Sequence, residues 1–236
     1  MNGPLIDPAD APAWLRGLVE LSGGLSSKTF TRFAVPTGTA ARPASVLILF
    51  GADGADGPDV LLLRRADTLG AHAGQVAFPG GGAEPHDDGP VDTALREAEE
   101  ETGVDPAGVA PVAILPELYV PVSGFAVTPV LAHWHAPSPV HAVDPAETAA
   151  VARVPLGELT DPANRFQVSR PGVEWKGPAF EVRDMFVWGF TAGLLSVLLT
   201  LGGWEQEWDH TDVRDLDVAL ARHEARSRRA ESARPE

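Results

Sequence analysis

The stretch from Phe78 to Val104 constrains this chain more than any other. Phe78-Pro79-Gly80-Gly81-Gly82 cannot form a regular strand or helix interior, because Pro79 removes a backbone donor and three successive glycines admit geometries that other residues avoid. From Val91 to Thr102 the pattern turns helical, with Val91, Ala94, Leu95 and Ala98 on one face and Gly103 placed as a C-terminal stop. At about 100° per residue, Glu97, Glu100 and Glu101 fall within an arc of roughly 100° beside that apolar face, whereas Glu99 points away. Like charges three and four apart cost a helix roughly 0.2 to 0.5 kcal/mol per pair. An acidic trio at the margin of a core therefore calls for a counter-charge, and Arg96 offsets only part of it. Carboxylate oxygens are preferred ligands of Mg²⁺ and similar hard ions, and the adjoining glycine loop can add a carbonyl ligand and room for a diphosphate. Taken alone, the glutamates also fit a solvated acidic helix face.

Composition narrows the chemistry. The chain has 236 residues, a formal charge of −15 and a pI near 4.8. Such a surface repels polyanions, so extended nucleic-acid binding, which rests on Lys and Arg neutralising phosphates, is not expected. A small phosphorylated substrate would need a cation between it and the protein. With no cysteine in the sequence, disulfides, thiolate zinc sites and thiol nucleophiles are excluded together, which agrees with a cytoplasmic location. Met1 to Ala11 carries Asp7 and Asp10 and no basic segment before an apolar run, so no secretory signal is visible.

Met185 to Trp204 holds no charged residue and is long enough to cross a bilayer core of about 30 Å as a helix. Gly189, Thr191, Gly193, Ser196, Thr200, Gly202 and Gly203 dilute it, and Asp184, Glu205 and Glu207 flank it where a basic cluster would mark a membrane span. A buried helix, without stable membrane insertion, is the expectation.

Along the rest of the chain, residues 8–22 read as an amphipathic helix, with Trp14, Leu15, Leu18 and Leu21 near helical spacing. Residues 44–50 and 59–64 read as paired buried strands, and 109–120, 126–134 and 148–154 as further strands. Residues 166–169 and 173–182 suggest a hairpin turning at Pro171-Gly172. Strands, an intervening helix and a closing helix give an α/β sandwich. Residues 1–43 would be an N-terminal helical extension, 44–204 the main domain, and 205–236 a charged C-terminal tail forming a surface helix that frays.

The spacing of Gly82, five residues, Asp88, seven residues, then Arg96-Glu97-Ala98-Glu99-Glu100-Glu101-Thr102-Gly103-Val104 resembles the Nudix box. That resemblance implies an α/β/α sandwich with a mixed β-sheet, and a metal-dependent pyrophosphohydrolase in which water attacks one phosphorus of a P–O–P bridge. It implies Glu97, Glu100 and Glu101, with the Gly81 carbonyl, as ligands of Mg²⁺ or Mn²⁺. Arg96 would orient the glutamates through charge-assisted hydrogen bonds. The box has Glu where this chain has Asp88, and Glu84 and Asp87 in the same loop could share that role.

A narrower resemblance precedes the box. Leu61-Leu62-Leu63-Arg64-Arg65-Ala66, then His72-Ala73-Gly74-Gln75-Val76-Ala77-Phe78-Pro79-Gly80-Gly81, is similar to the signature of the coenzyme A pyrophosphatase branch, as are Ser123 to Val130 and Met185 to Gly193. It implies cleavage of coenzyme A or its thioesters to 3′,5′-ADP and 4′-phosphopantetheine products, with Arg65, His72, Gln75, Gly80 and Gly81 at the substrate. The signature carries Arg where this chain has Gly70, and Arg64, Arg65, Lys176 or Arg183 could stand in for it. His72 also fits a structural role, Arg65 an ordinary surface arginine. Glu147 could act as an extra ligand or base, or as a turn carboxylate after Asp144-Pro145. Another nucleoside diphosphate derivative, such as ADP-ribose or a dinucleotide, is the alternative substrate, and a non-catalytic Nudix-fold binding protein the alternative from a different class. The partner expected is a small-molecule nucleotide diphosphate, with a homodimer among the options for assembly.

Overall fold

The computed structural model describes residues 2–35, 40–52, 54, 56–68 and 72–232, with side chains through residue 229. The N-terminal part contributes a two-residue strand β1 (Gly3–Pro4), helix α1 (Ala13–Ser22) and a single-turn helix α2 (Ser27–Phe30). Then come β2 (Arg42–Gly51), β3 (Asp59–Arg65), β4 (Val76–Ala77), β5 (Gly80–Gly82) and helix α3 (Pro90–Thr102). Strands β6 (Val109–Ile114), β7 (Leu118–Val120), β8 (Phe125–Trp134) and β9 (Thr148–Pro155) follow, then helix α4 (Leu156–Thr160). The chain continues through β10 (Arg165–Ser169), β11 (Lys176–Val182), β12 (Met185–Val187), α5 (Gly189–Leu201), β13 (Val213–Asp215) and α6 (Leu216–Ser232).

The main sheet runs β1-β6-β8-β2-β3-β4, with β5 on β2, β7 on β8 and β9 on β3. It is mixed: β2 and β8 pair in parallel from Arg42↔Phe125 to Phe50↔His133, and its other pairs are antiparallel. The apolar run Val46 to Phe50 suits such a central strand, because both of its faces are buried. Leu47, Leu49 and Leu61 pack with Ala94 and Ala98 of α3 on one side. Ile48, Phe50, Val60 and Leu62 pack with Leu15 and Leu18 of α1 and Leu194, Leu195 and Leu198 of α5 on the other. Each fully buried leucine of this kind contributes roughly 1.5 to 3 kcal/mol. The result is the expected α/β/α sandwich.

Three elements differ from the sequence reading. The strands at 44–50 and 59–64 pair with each other only at Phe50↔Val60 and Gly51↔Asp59. Beyond that point they splay, and residues 76–82 fill the gap, β4 bonding β3 and β5 bonding β2. The glycine segment is thus itself a short strand, held by Leu47 N–H donating to the Pro79 carbonyl at 2.8 Å. Second, 109–120 is two strands, β6 and β7, with Pro116 between them, a residue that cannot donate to a ladder. Third, the apolar run 185–204 divides at Trp188-Gly189, where Gly189 takes φ 67°. Its first residues form β12 and only 13 residues form α5. Among the described residues no helix is long and apolar enough to cross a membrane.

Both flanks of the 44–204 segment join the body. β1 pairs with Ala113 and Ile114, and β13 pairs in parallel with Gln167 to Ser169 in a second sheet ordered β12-β11-β10-β13. The hairpin expected at 166–182 is present as β10 and β11, with Gly172 at φ 77° in its turn. Charged as it is, α6 buries Leu216 and Ala219 against Phe166 and Phe186.

Candidate active site

Helix α3 begins at Pro90 after Gly89 and ends at Gly103, which takes φ 67°, the left-handed C-cap that the sequence anticipated. Its apolar face fixes its rotation against β2 and β8, and that rotation carries Glu97 and Glu101 under the glycine strand. At Gly81 the fit is close: a Cβ there would lie 2.5 Å from each oxygen of Glu97. Gly80, at φ 157°, would place a Cβ 2.7 Å from the Val46 Cα. A Cβ at Gly80 would run into backbone and one at Gly81 would displace the Glu97 carboxylate, so the glycines here allow carboxylates to approach bare backbone.

Glu101 is 9% exposed; its Oε2 accepts from Gly80 N–H at 2.9 Å and its Oε1 lies 3.6 Å from Arg65 Nη1. Burial pushes its carboxyl up to about 7, against the pull of the Gly80 N–H and Arg65, and the charges of Glu97 and Glu147 push the same way as burial. Burial also raises Glu97, opposed by Arg96 and reinforced by Glu100 and Glu84. Glu100 stays at the rim, 58% exposed.

Arg96 organises this acidity. Its Nη1 donates to Glu97 Oε1 at 3.0 Å and Glu100 Oε2 at 3.1 Å, its Nη2 to the Gly82 carbonyl at 3.0 Å. Its Nε and Nη2 form a two-pronged pair with Asp87 at 3.0 and 3.1 Å. Asp87, only 2% exposed, also accepts from Thr93 Oγ1 and Glu84 N–H, each at 2.8 Å. The Arg96 guanidinium holds the Asp87 carboxyl far below the usual carboxylate range, and Asp87 in turn raises Arg96. Of the loop carboxylates left open by the sequence, Asp87 is therefore the one aimed at the helix. Asp88 is exposed, with its backbone N–H capped by Asp92 at 3.1 Å. Periodicity cannot choose between two adjacent carboxylates in a loop, and here the turn into Gly89, at φ 149°, makes the choice.

The upstream residues gather at the end of β3. Arg65 reaches Glu101, and its buried Nε has no partner among the described residues. His72, at φ 58°, bonds Gln75 through Nδ1 at 2.9 Å, and the Gln75 carbonyl accepts from Arg65 N–H at 2.9 Å. These two side chains bond each other, and neither has a hydrogen bond to the glutamates. Gly70 and Leu69 lie outside the described residues. Among the stand-ins for the missing arginine, Arg64 is paired with Asp67 at 3.1 Å and Arg183 with Glu158 at 2.9 Å, whereas Lys176 is an exposed residue of β11. Arg65 is the one in contact with the acidic site. Glu147 accepts from Ala66 N–H through its carbonyl at 2.8 Å, and its carboxylate acts on Glu101 through space.

A NUDIX domain model matches residues 40–176, more than half of the chain. The chain belongs to the Nudix family. It is similar to NudL of Cronobacter sakazakii, described as an uncharacterized Nudix hydrolase, with 39% identity over 149 residues, 60% of this chain and 73% of that protein. NudL of Pectobacterium atrosepticum, described in the same words, is 40% identical over equal shares. Among solved structures, the Nudix hydrolase RenU of M. smegmatis is 20% identical over 69% of this chain and 86% of its own, with a TM-score of 0.45. As a Nudix family member the chain is a pyrophosphohydrolase, and Nudix hydrolases generally use divalent metal ions.

The residues here fit such an ion. The candidate ligands are oxygens throughout, which suits a hard divalent ion. A carboxyl buried and pushed up to about 7 beside other carboxylates is one that a cation would return to its charged form. Among the described residues, no three Asp, Glu or His side chains already stand in a closed ligand set. Arg96 occupies the space between Glu97 and Glu100, and Glu101 is turned to Gly80.

Proposed function

We propose that this chain hydrolyses the diphosphate of coenzyme A or its thioesters, giving 3′,5′-ADP and a 4′-phosphopantetheine product. The observation that carries the hydrolytic reading is the buried Glu101 carboxylate, set between Gly80 N–H and Arg65 on bare glycine backbone. Support for coenzyme A is the resemblance of residues 61–81 to that branch, together with their position: Arg65 and Gly80 are the segments' contacts with Glu101. Glu97, Glu100, Glu101 and the Gly81 carbonyl would hold Mg²⁺ or Mn²⁺. When bound, the ion neutralises phosphate charge and acidifies water.

The side chains supply the rest. Arg65, about one-third exposed beside Glu101, would offer its guanidinium to the diphosphate, and Gly80 and Gly81 let phosphate oxygens come close to the strand. His72 and Gln75 shape the loop beside it. Asp87 and Arg96 hold Glu97 and Glu100 in place. The proton of the attacking water goes to Glu147 or to a box glutamate. The cysteine-free, acidic composition supports a cytoplasmic site of action.

The test is turnover by the purified full chain with Mg²⁺ or Mn²⁺ across coenzyme A, ADP-ribose and dinucleotides. Coenzyme A is expected to be cleaved fastest, with activity removed by EDTA and restored by metal. Coenzyme A turned over no faster than ADP-ribose would overturn the substrate assignment in favour of another nucleoside diphosphate derivative. Absence of any metal-dependent turnover would leave a Nudix-fold binding protein.

A further inference from the structure

Two buried polar atoms beside the acidic site have no hydrogen-bond partner among the described residues, Arg65 Nε and Thr148 Oγ1. They belong to register partners, Arg65 on β3 and Thr148 on β9. The ladder shifts there by one residue, from Arg64↔Ala150 to Arg65↔Thr148, so the exposed Ala149 is passed over and a hydroxyl stands opposite the arginine. Bulges of this kind re-aim side chains. Backbone bonds pin both strands: Arg65 N–H donates to the Gln75 carbonyl at 2.9 Å, Ala66 N–H to the Glu147 carbonyl at 2.8 Å and Thr148 N–H to the Asp144 carbonyl at 2.8 Å. Neither Arg65 N–H nor Thr148 N–H is given to the other residue, and in such a pair the opposing side chains stand closest.

A buried donor left unpaired is costly, the more so on a charged group, and proteins meet such groups with their own atoms or with an internal water. Arg65 Nε has one hydrogen to donate, and the Thr148 hydroxyl can both accept and donate. A single oxygen between them therefore satisfies both. The two atoms are closed to solvent, although the Arg65 side chain as a whole is 32% exposed, so that oxygen belongs to a trapped water rather than to the substrate. We propose that Arg65 Nε and Thr148 Oγ1 share one internal water, which makes Thr148 the positioning residue for Arg65. Glu101 does not hold the arginine alone, since 3.6 Å from its Oε1 to Nη1 exceeds the roughly 2.7 to 2.9 Å of a charge-assisted hydrogen bond. Fastening the inner edge at Nε sets the plane of the guanidinium, with Nη1 toward Glu101. The effect on turnover rests on the proposed function's reading that Arg65 meets the diphosphate, whereas the water site stands apart from it.

The experiment joins a crystal structure of the full chain to steady-state kinetics with coenzyme A and Mg²⁺, for the parent, Thr148→Val and Thr148→Ser. A water within about 3.2 Å of both Nε and Oγ1 is expected in the parent and in Thr148→Ser, and not in Thr148→Val. Valine keeps the shape and removes the hydroxyl, so KM for coenzyme A should rise about tenfold with kcat within about twofold, and serine should restore it. Lowered thermal stability with KM unchanged in Thr148→Val would overturn the positioning role. A parent crystal with no oxygen between the two atoms, or with Nε bonded to another protein group, would overturn the water site whether or not the variants fold. A parent that holds the water and leaves coenzyme A intact would sustain the site and overturn the substrate reading alone.

Discussion

The two arginines set most deeply into this molecule are held in opposite ways. Arg96 is surrounded by oxygens, with Asp87, Glu97, Glu100 and the Gly82 carbonyl all accepting from it. Arg165, fully buried on β10, has Glu205 and Ser196 at 3.1 Å on one nitrogen, and its Nε and Nη1 find no hydrogen-bond partner among the described residues. Two rings take their place: the Arg165 guanidinium lies 5.1 Å from the Phe180 centroid and 4.5 Å from that of Trp208. Burial pulls Arg165 down from its usual value while Glu205 pulls it back, and Asp87 pushes Arg96 up. One arginine gathers the acid groups of the proposed site, whereas the other joins β10 to α5 and to the segment after it. The lesson is that burial of a cation says little by itself, and the identity of its partners separates site from scaffold.

That contrast can be broken at three positions, by four measurements. The largest effect is expected from Glu205→Ala, which strips the buried Arg165 of its carboxylate and should cost about 3 kcal/mol of stability. Thermal unfolding measures it, and the turnover of the remaining folded protein should stay near the parent's. Next is Asp87→Asn, which should fold but lose roughly tenfold to a hundredfold of turnover, since partners that orient metal-site residues carry effects of that size. A fall in stability equal to that of the scaffold variant, with turnover retained, would erase the distinction.

The acid limb of stability sharpens the same point. Asp87 is held below the ordinary carboxylate range by Arg96, so in acid the unfolded chain takes up its proton first. Its contribution is complete above about pH 5 and is lost as the pH falls through the ordinary carboxylate range and below. Denaturant midpoints from pH 6 down to pH 3 should fall less steeply in Asp87→Asn than in the parent. The smallest effect is expected from Asp88→Asn, within about twofold of parental turnover, because Asp88 points to solvent as a surface residue.

Much of this was legible in the residues. The period of Val91, Ala94, Leu95 and Ala98 fixed which side of α3 is buried, and hence where Glu97 and Glu101 point, because a helix leaves no freedom in the angle between residues. Gly103 marked its end because glycine takes the left-handed C-cap conformation without steric cost. Three features were not legible, each because it depends on contacts between distant segments. Whether β2 and β3 stay paired is decided by the glycine strand that inserts between them. The length of the 185–204 helix is decided by β11, which takes Met185 to Val187 as a strand partner. The choice of Asp87 over Asp88 is decided by a loop turn that presents one carboxylate to Arg96. Likewise the segment from residue 205 read as a charged tail because its few apolar residues are spread out, yet Leu216 and Ala219 suffice to dock α6 on the second sheet.

The most direct measurement is a titration of the purified full chain with Mn²⁺, followed by the disappearance of the free-ion electron paramagnetic resonance signal, beside the Glu101→Gln variant. A saturable site filling by about millimolar ion in the parent and weakened at least about tenfold in the variant is the expected result. An unaltered free-ion signal in the parent, or identical binding by both proteins, would contradict the claim that the carboxylates beneath the glycine strand hold the ion.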